Sequence, residues 1–155
     1  MNTPLSELEI ILRLVLAFAA GFIIGLERSS RHQVAGLRTH VLICLGSSCL
    51  MLLSIWLPQQ IGSGDPGRIA AQVVAGMGFL GAGAIIKLGN NIRGLTTAAS
   101  LWLTAAIGLT IGAGMLIAAA AVIILALITL IFMHFLERKI FPEDNWKKET
   151  PEKEN

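Results

Sequence analysis

The sequence predicts an all-α integral membrane protein with five transmembrane helices, its N-terminus outside and its C-terminus cytoplasmic. Three observations carry this. The chain is 54% apolar and 14% charged, with a mean hydropathy of +0.72, too apolar to cover itself with the polar surface a solvated domain needs. It contains four apolar runs, the last long enough for two spans, and its lysines and arginines fall on one side of the resulting topology. Spans of about 19 residues match the ~20 that a ~30 Å hydrocarbon core requires. The expected organisation is a transmembrane domain over 1–136 followed by a short charged tail, 137–155, with too few apolar residues to fold alone and therefore disordered.

The first span is expected from about Leu8 to Leu26. Its charges, Glu9 and Arg13, lie one turn apart, where they can pair and snorkel to the interface. Ala17-Phe18-Ala19 imitates a signal cleavage site, but Glu7 and Glu9 replace the usual basic residues and Arg13 interrupts the apolar stretch, so the span is read as uncleaved. A second run ends at Trp56 and Leu57 before Pro58, with Trp56 suited to an interfacial belt. Cys44 and Cys49 in this run point about 140° apart on a helix, which favours packing over a disulfide or a metal pair.

Gly62-Ser63-Gly64 forms a turn. Asp65 is then placed as the N-cap of a third helix with Pro66 in its first position, and the third span comes next, over about Ile69 to Ile86. Asn90, Asn91 and Gly94 punctuate a short turn. From Leu95 to Leu136 there is no formal charge, and Gly112-Ala113-Gly114 divides this stretch into a fourth and a fifth span.

With the N-terminus outside, ten of the twelve basic residues lie inside and only Arg13 and Arg68 near the outer face, in keeping with the positive-inside rule. The net charge of +2 is too small to argue for nucleic acid. A faint repeat pairs Gly21-Phe22-Ile23 with Gly78-Phe79-Leu80, and Gly36-Leu37-Arg38-Thr39 with Gly94-Leu95-Thr96-Thr97, at an offset of 57 to 58 residues. Either two parallel helix pairs or chance similarity of glycine-rich hairpins accounts for it.

Gly76, Gly78 and Gly81 fit a GxGxxG string. That string binds dinucleotides between a strand and a helix, not inside an apolar span, and no acidic residue occurs about 20 positions later. With Gly83, and with the GxxxG pairs Gly21 and Gly25, and Gly108 and Gly112, these glycines instead allow close helix packing. Leucine at Gly78 or Gly81 is then expected to be destructive. A homodimer seam is the rival use. Gln72, within the third span, should seek a partner on another helix. Asp65 and Arg68 fall at the outer face, His134 near the inner interface, and Trp102 is read as a packing residue.

The most informative polar residues gather at the expected cytoplasmic face. Glu27 and Arg28 end the first span, Arg38 and Thr39 begin the second, Lys87 ends the third, and Arg93, Thr96 and Thr97 begin the fourth. Helices two and four present their N-termini there, a surface suited to an anionic headgroup, a phosphate or an acidic partner. The alternative is an internal network in which Glu27 accepts from Arg38 or Arg93.

Gly-Leu-Glu-Arg at 25–28, Ala-Gly-Leu-Arg-Thr-His at 35–40, Asp65 to Arg68, the glycine string at 76–83 and Arg-Gly-Leu-Thr-Thr-Ala-Ala-Ser-Leu-Trp at 93–102 together resemble the MgtC/SapB membrane family of bacteria. The resemblance covers about Leu5 to Ile131. It implies a multi-pass protein of the bacterial cytoplasmic membrane associated with magnesium limitation and, in pathogens, with survival inside host cells. Its members, once labelled magnesium transporters, are better described as regulators of other membrane proteins, including the proton-driven ATP synthase. Thr96 and Leu103 depart from the asparagine and cysteine of the MgtC type, and the short tail lacks the C-terminal soluble domain many members carry. A SapB-like or YhiD-like member fits better.

A magnesium carrier should offer carboxylates to a cation that dehydrates reluctantly. Glu27 and Asp65 lie at opposite faces, so only backbone carbonyls of a broken helix at Gly76 to Gly83 could substitute. No paired acids, activated nucleophile or metal-ligand spacing suggests an enzyme or a bound cofactor. The expected role is a regulatory or adaptor protein that binds other membrane proteins in the lipid bilayer, with magnesium transport, or an accessory part in it, as the alternative.

Overall fold

The computed structural model describes residues 5–89 and 91–140. In chain order these form α1 (Glu7–Ser30), α2 (Leu37–Ile61), α3 (Arg68–Ala84), the strands β1 (Ile86–Leu88) and β2 (Asn91–Arg93), α4 (Leu95–Gly112), α5 (Leu116–Ile128), a π-helical turn (Thr129–Met133) and α6 (His134–Ile140). Among the described residues four segments are long and apolar enough to cross a membrane: α1, α2, α4 and Leu116–Met133; α3 is a shorter apolar helix. The expected disordered tail lies outside the described residues beyond Ile140, as does the side chain of His134.

Local chemistry moves several expected boundaries. α1 opens with a capping box in which Ser6 Oγ accepts from Glu9 N at 3.3 Å and Glu9 Oε2 accepts from Ser6 N at 3.1 Å. Glu9 is thereby held in the cap, and Arg13 turns away from it to donate to the Gly112 carbonyl at the end of α4, at 2.9 Å. At its other end α1 runs past Leu26, where Glu27 and Arg31 form an i,i+4 ion pair that supports another turn. α2 continues through Pro58, since proline keeps a helical φ and forfeits one bond near the terminus. It stops at Gly62, whose φ of +76° makes a left-handed cap. Asp65 does not cap α3. Its Oδ1 accepts from Gly67 N at 2.8 Å in a tight turn, and the helix begins at Arg68.

The expectation of purely helical structure is corrected between α3 and α4. Lys87 does not end a span but sits in β1 opposite Ile92, in an antiparallel hairpin that also pairs Ile86 with Arg93 and Leu88 with Asn91. Gly89, with φ +58°, opens its two-residue turn, as such turns require. The hairpin folds back against the end of α3 at Gly94. There φ is +89°, and a Cβ would strike the Ala84 carbonyl.

α2 is clasped on two sides by backbone-close helices. A Cβ at Gly21 of α1 would lie 2.7 Å from the His40 carbonyl oxygen, and one at Gly25 would lie 2.8 Å from Leu37 Cα. On the α4 side, a Cβ at Gly108 would lie 2.8 Å from Ser47 Cβ and one at Gly112 would lie 2.6 Å from the Ser48 carbonyl oxygen. Both GxxxG pairs thus form tight interfaces. Ala17, Ala20, Ile24, Cys44, Ile107 and Ile111 fill the core they enclose, with Cys49 on the exposed side of α2.

The glycines of α3 behave differently, which corrects their expected packing role. α3 joins α4 through Met77, which clusters with Leu101 and Ala105. Gly76 and Gly78 flank Met77 by about 100° on a helix, and at Gly76, Gly78 and Gly83 a Cβ would meet nothing within 4 Å. Gly81 makes an ordinary contact, 3.7 Å from Ala98 Cβ. Gln72 is exposed rather than buried against a neighbouring helix, and Trp102 points outward as well.

The distribution of residues inverts that of a soluble protein. His40, Ser48, Ser54, Thr97, Ser100 and Thr104 are buried, while Phe18, Phe22, Phe79 and Ile117 are exposed. Within α4 the hydroxyls bond back along the helix, Ser100 donating to the Thr97 carbonyl at 2.8 Å and Thr104 to the Ser100 carbonyl at 2.7 Å, which satisfies them where surrounding lipid offers no partner. In α2, Ser54 donates instead to the Pro66 carbonyl outside the helix, and Ser48 Oγ has no partner among the described residues.

Thermal unfolding in detergent should separate the two sets of glycines. Gly108→Ala and Gly112→Ala each force overpacking and should cost about 1–3 kcal/mol; Gly94→Ala should destabilise through both its positive φ and the Ala84 contact. Gly76→Ala and Gly78→Ala should stay within about 0.5 kcal/mol of wild type, like other substitutions away from packed contacts.

Candidate functional site

The polar residues of the end where α1 stops and α2 and α4 begin are held by a short relay of hydrogen bonds. Ser29 Oγ accepts from Leu37 N at 2.7 Å, capping α2 from the preceding helix, since Gly36 has no side chain to do so. Ser30 Oγ donates to the Glu27 carbonyl at 2.7 Å, and Gln33 N donates to the Arg28 carbonyl at 3.1 Å. The connection between α1 and α2 is therefore folded onto α1 rather than extended into solvent.

His40 ties α2 to α4. It is fully buried, with Nδ1 2.9 Å from the Gly36 carbonyl and Nε2 3.2 Å from Ser100 Oγ. A carbonyl only accepts, so Nδ1 carries a proton. Ser100 has one proton to share between Thr97 O and His40 Nε2, which makes this link a chain running across two helices.

Of the expected polar cluster, the structure brings together Glu27, Arg28, Thr96 and Thr97, all at this end of the bundle. Glu27 and Arg28 are buried, and Glu27 contacts Arg31 Nε and lies 3.8 Å from Arg28 Nη1. Neither Glu27 oxygen has an aligned hydrogen-bond partner among the described residues, so these contacts are ion pairs without directional bonds. The expected pairing of Glu27 with Arg38 or Arg93 is corrected. Arg31 is one turn away on the same helix, whereas Arg38 and Thr39 point outward from α2 and Arg93 and Lys87 are exposed on the hairpin. Asp65 and Arg68, at the opposite end, are exposed.

Arg28 and Arg31, with Gln33, Thr96 and Thr129, line a cup of about 380 Å³ between α1, α4 and the π-helical turn. Among the described residues no carboxylate lines it and Arg28 Nε has no partner. Such a donor-rich lining suits an oxyanion. The polar cluster read from the sequence did not include Arg31, Gln33, His40 or Thr129. His40 closes the 35–40 motif, and the i,i+4 spacing of Glu27 and Arg31 was the available signal for the ion pair. Among the described residues, no group of three or more His, Cys, Asp and Glu could hold a metal ion.

The sequence profile of the MgtC family matches residues 14–139. The chain belongs to the MgtC family. Among similar proteins, "Putative magnesium transporter YhiD" of Escherichia coli (strain K12) is 52% identical over 104 residues, covering 63% of this chain and 48% of its own length. "Protein MgtC" of Brucella abortus (strain 2308) is 50% identical over 90 residues, 58% of this chain and 37% of its own. "Protein MgtC" of Salmonella typhimurium (strain LT2) is 48% identical over 95 residues, 61% of this chain and 39% of its own. The chain thus spans about half or less of the length of these relatives. No solved structure matches it. Family membership and the apolar helices together make it a bacterial membrane protein.

A double-mutant cycle on thermal stability tests the ion pair. Glu27→Gln and Arg31→Gln should be non-additive, with a coupling of about 0.5–3 kcal/mol as for residues in contact, whereas Glu27→Gln and Arg38→Gln should add. Coupling of Glu27 to Arg38 but not to Arg31 would contradict the geometry.

Proposed function

We propose that this MgtC-family protein is a small regulatory or adaptor protein of the bacterial cytoplasmic membrane, serving adaptation to magnesium limitation by binding other membrane proteins. The observation that carries the reading is the outward face of α3. At Gly76, Gly78 and Gly83 a Cβ would meet nothing within 4 Å among the described residues, and small residues on an apolar helix are what a second transmembrane helix needs for close approach. The proposed partner is a helix of another membrane protein, the proton-driven ATP synthase being the candidate that the family resemblance suggests; a second copy of this chain is the competing occupant. The link to magnesium is supported by the name of the Escherichia coli relative.

The reading includes five spans, an outside N-terminus and a cytoplasmic C-terminus. α2 ends and α4 begins at opposite ends of the bundle, which supports a crossing by α3, whose 17 residues extend about 26 Å at 1.5 Å per residue. Arg28, Arg31, Arg38, Lys87 and Arg93 share one end, which the positive-inside rule assigns to the cytoplasm.

Growth in low magnesium and flux into liposomes test the proposal together. Gly78→Leu should leave thermal stability in detergent unchanged yet abolish the growth benefit that the wild-type protein gives, and the purified protein should not move magnesium into vesicles. Saturable magnesium uptake by the protein alone would overturn the regulatory reading in favour of transport. A Gly78→Leu variant that supports growth normally would remove α3 as the contact. For the topology, alkaline phosphatase fused after Asn155 should be inactive.

A further inference from the structure

The basic cup adjoins a second cavity. It shares Thr96, Thr129 and Leu130 with a half-open apolar slot of about 280 Å³ between α1, α4 and α5, lined also by Ile24, Leu103 and Val122. From Thr96 to Leu103 the slot runs along α4 for about 10 Å at 1.5 Å per residue. We propose that the joined cavity holds an anionic phospholipid, with its headgroup phosphate in the cup and the first part of one acyl chain in the slot.

The cup supplies what a phosphate diester requires. Among the described residues the lining carries two arginines and no carboxylate, with Glu27 in ion contact with both of them. Arg28 is 3% exposed and its Nε has no partner among the described residues. A buried guanidinium donor left unmatched is costly, and an oxyanion in the cup removes that cost through the planar fork that suits phosphate. Gln33 adds an amide to the wall, and Thr96 a hydroxyl where α4 begins.

A second feature points to the same place. The helical rod after α4 departs from α-helical geometry only at Thr129–Met133 among its described residues, and Thr129, Leu130 and Met133 of that turn all line the cup. π-helical turns recur at functional sites, where they re-aim side chains that a regular helix would place elsewhere. Free phosphate would satisfy the cup but leave the apolar slot unfilled. A neutral lipid would fill the slot but leave Arg28 unmatched. An anionic phospholipid satisfies both, and the bilayer supplies it from the side. The proposal does not depend on α3, whose free face belongs to a different helix.

The test uses the full chain purified and stripped of lipid in detergent, with phosphatidylglycerol, phosphatidylcholine and inorganic phosphate added separately. Phosphatidylglycerol should raise the melting temperature and remain bound in native mass spectrometry, and the other two should do neither. Arg31→Gln, at a half-buried position, should weaken phosphatidylglycerol binding by about ten-fold, the loss expected for one charge-assisted hydrogen bond. Ala99→Phe, which starts from an exposed residue on the slot wall, should abolish lipid stabilisation while the lipid-free melting temperature stays put. These two variants decide the matter even if Arg28→Gln does not fold. Stabilisation by inorganic phosphate alone would make the cup a simple anion site, equal stabilisation by phosphatidylcholine would remove the role of charge, and unchanged phosphatidylglycerol binding in both variants would place the lipid elsewhere. Each of these results overturns the proposal.

Discussion

The bundle depends on how closely α1 and α4 approach the backbone of α2. In a bilayer the lipid tails are as apolar as the side chains, so helices gain little by burying leucine and must gain from contact itself. Gly21 and Gly25 on one side, and Gly108 and Gly112 on the other, remove the atoms that would hold the helices apart. Cys44 sits between the two seams, its Cβ facing Gly21 and its carbonyl facing Gly108. The close approach also explains why hydroxyls sit in the interior among the alanines and isoleucines of the core. Serine and threonine are small enough for these seams, and those of α4 satisfy their polarity by bonding back along the helix.

Features set by local rules were legible in the sequence. The apolar runs, the break at Gly112 to Gly114 and the two GxxxG pairs all express spacing along one helix. Features that depend on which way a helix faces were not. GxxxG in α1 and α4 and the denser glycine string in α3 look alike in sequence, and only the position of Met77 against α4 shows that Gly76 and Gly78 point away from the bundle. The hairpin was missed for a different reason. The apolar pattern of α3 continues into Ile85 and Ile86, so the short turn at Asn90 and Asn91 reads as joining two helices and not the short strands that flank it.

The polar end shows the same division. Glu27 and Arg38 lie on consecutive helices at one end of the bundle, and that made their pairing attractive. A residue one helical turn away has a shorter and stiffer route to the same carboxylate, and Arg31 takes it. Arg38 is thereby left on the outside of α2, while Arg28, which the spacing placed beside Glu27 without a role, becomes the buried charge of the cup. Charge counting located the basic end; it could not say which guanidinium turns inward, because that depends on where α4 and the π-helical turn pack against α1.

The faint internal repeat sharpens the meaning of α3. Its two halves agree where the chain turns into a helix: Gly36 and Gly94 stand at the N-cap positions of α2 and α4. They disagree at Gly21 and Gly78. The first is pressed against His40 and Val41 of the next helix, and the second meets nothing within the chain. If packing of each helix pair were the reason for glycine at this position, the second pair should be as tight there as the first. Instead α3 meets α4 through Met77 and Gly81, and the glycine that matches Gly21 is turned outward. Glycine in the interior of a helix is costly relative to alanine, by about 1 kcal/mol, and among the described residues none lies where a Cβ at Gly76, Gly78 or Gly83 would meet it. The proposed partner helix, approaching closely on this face, would offset that cost.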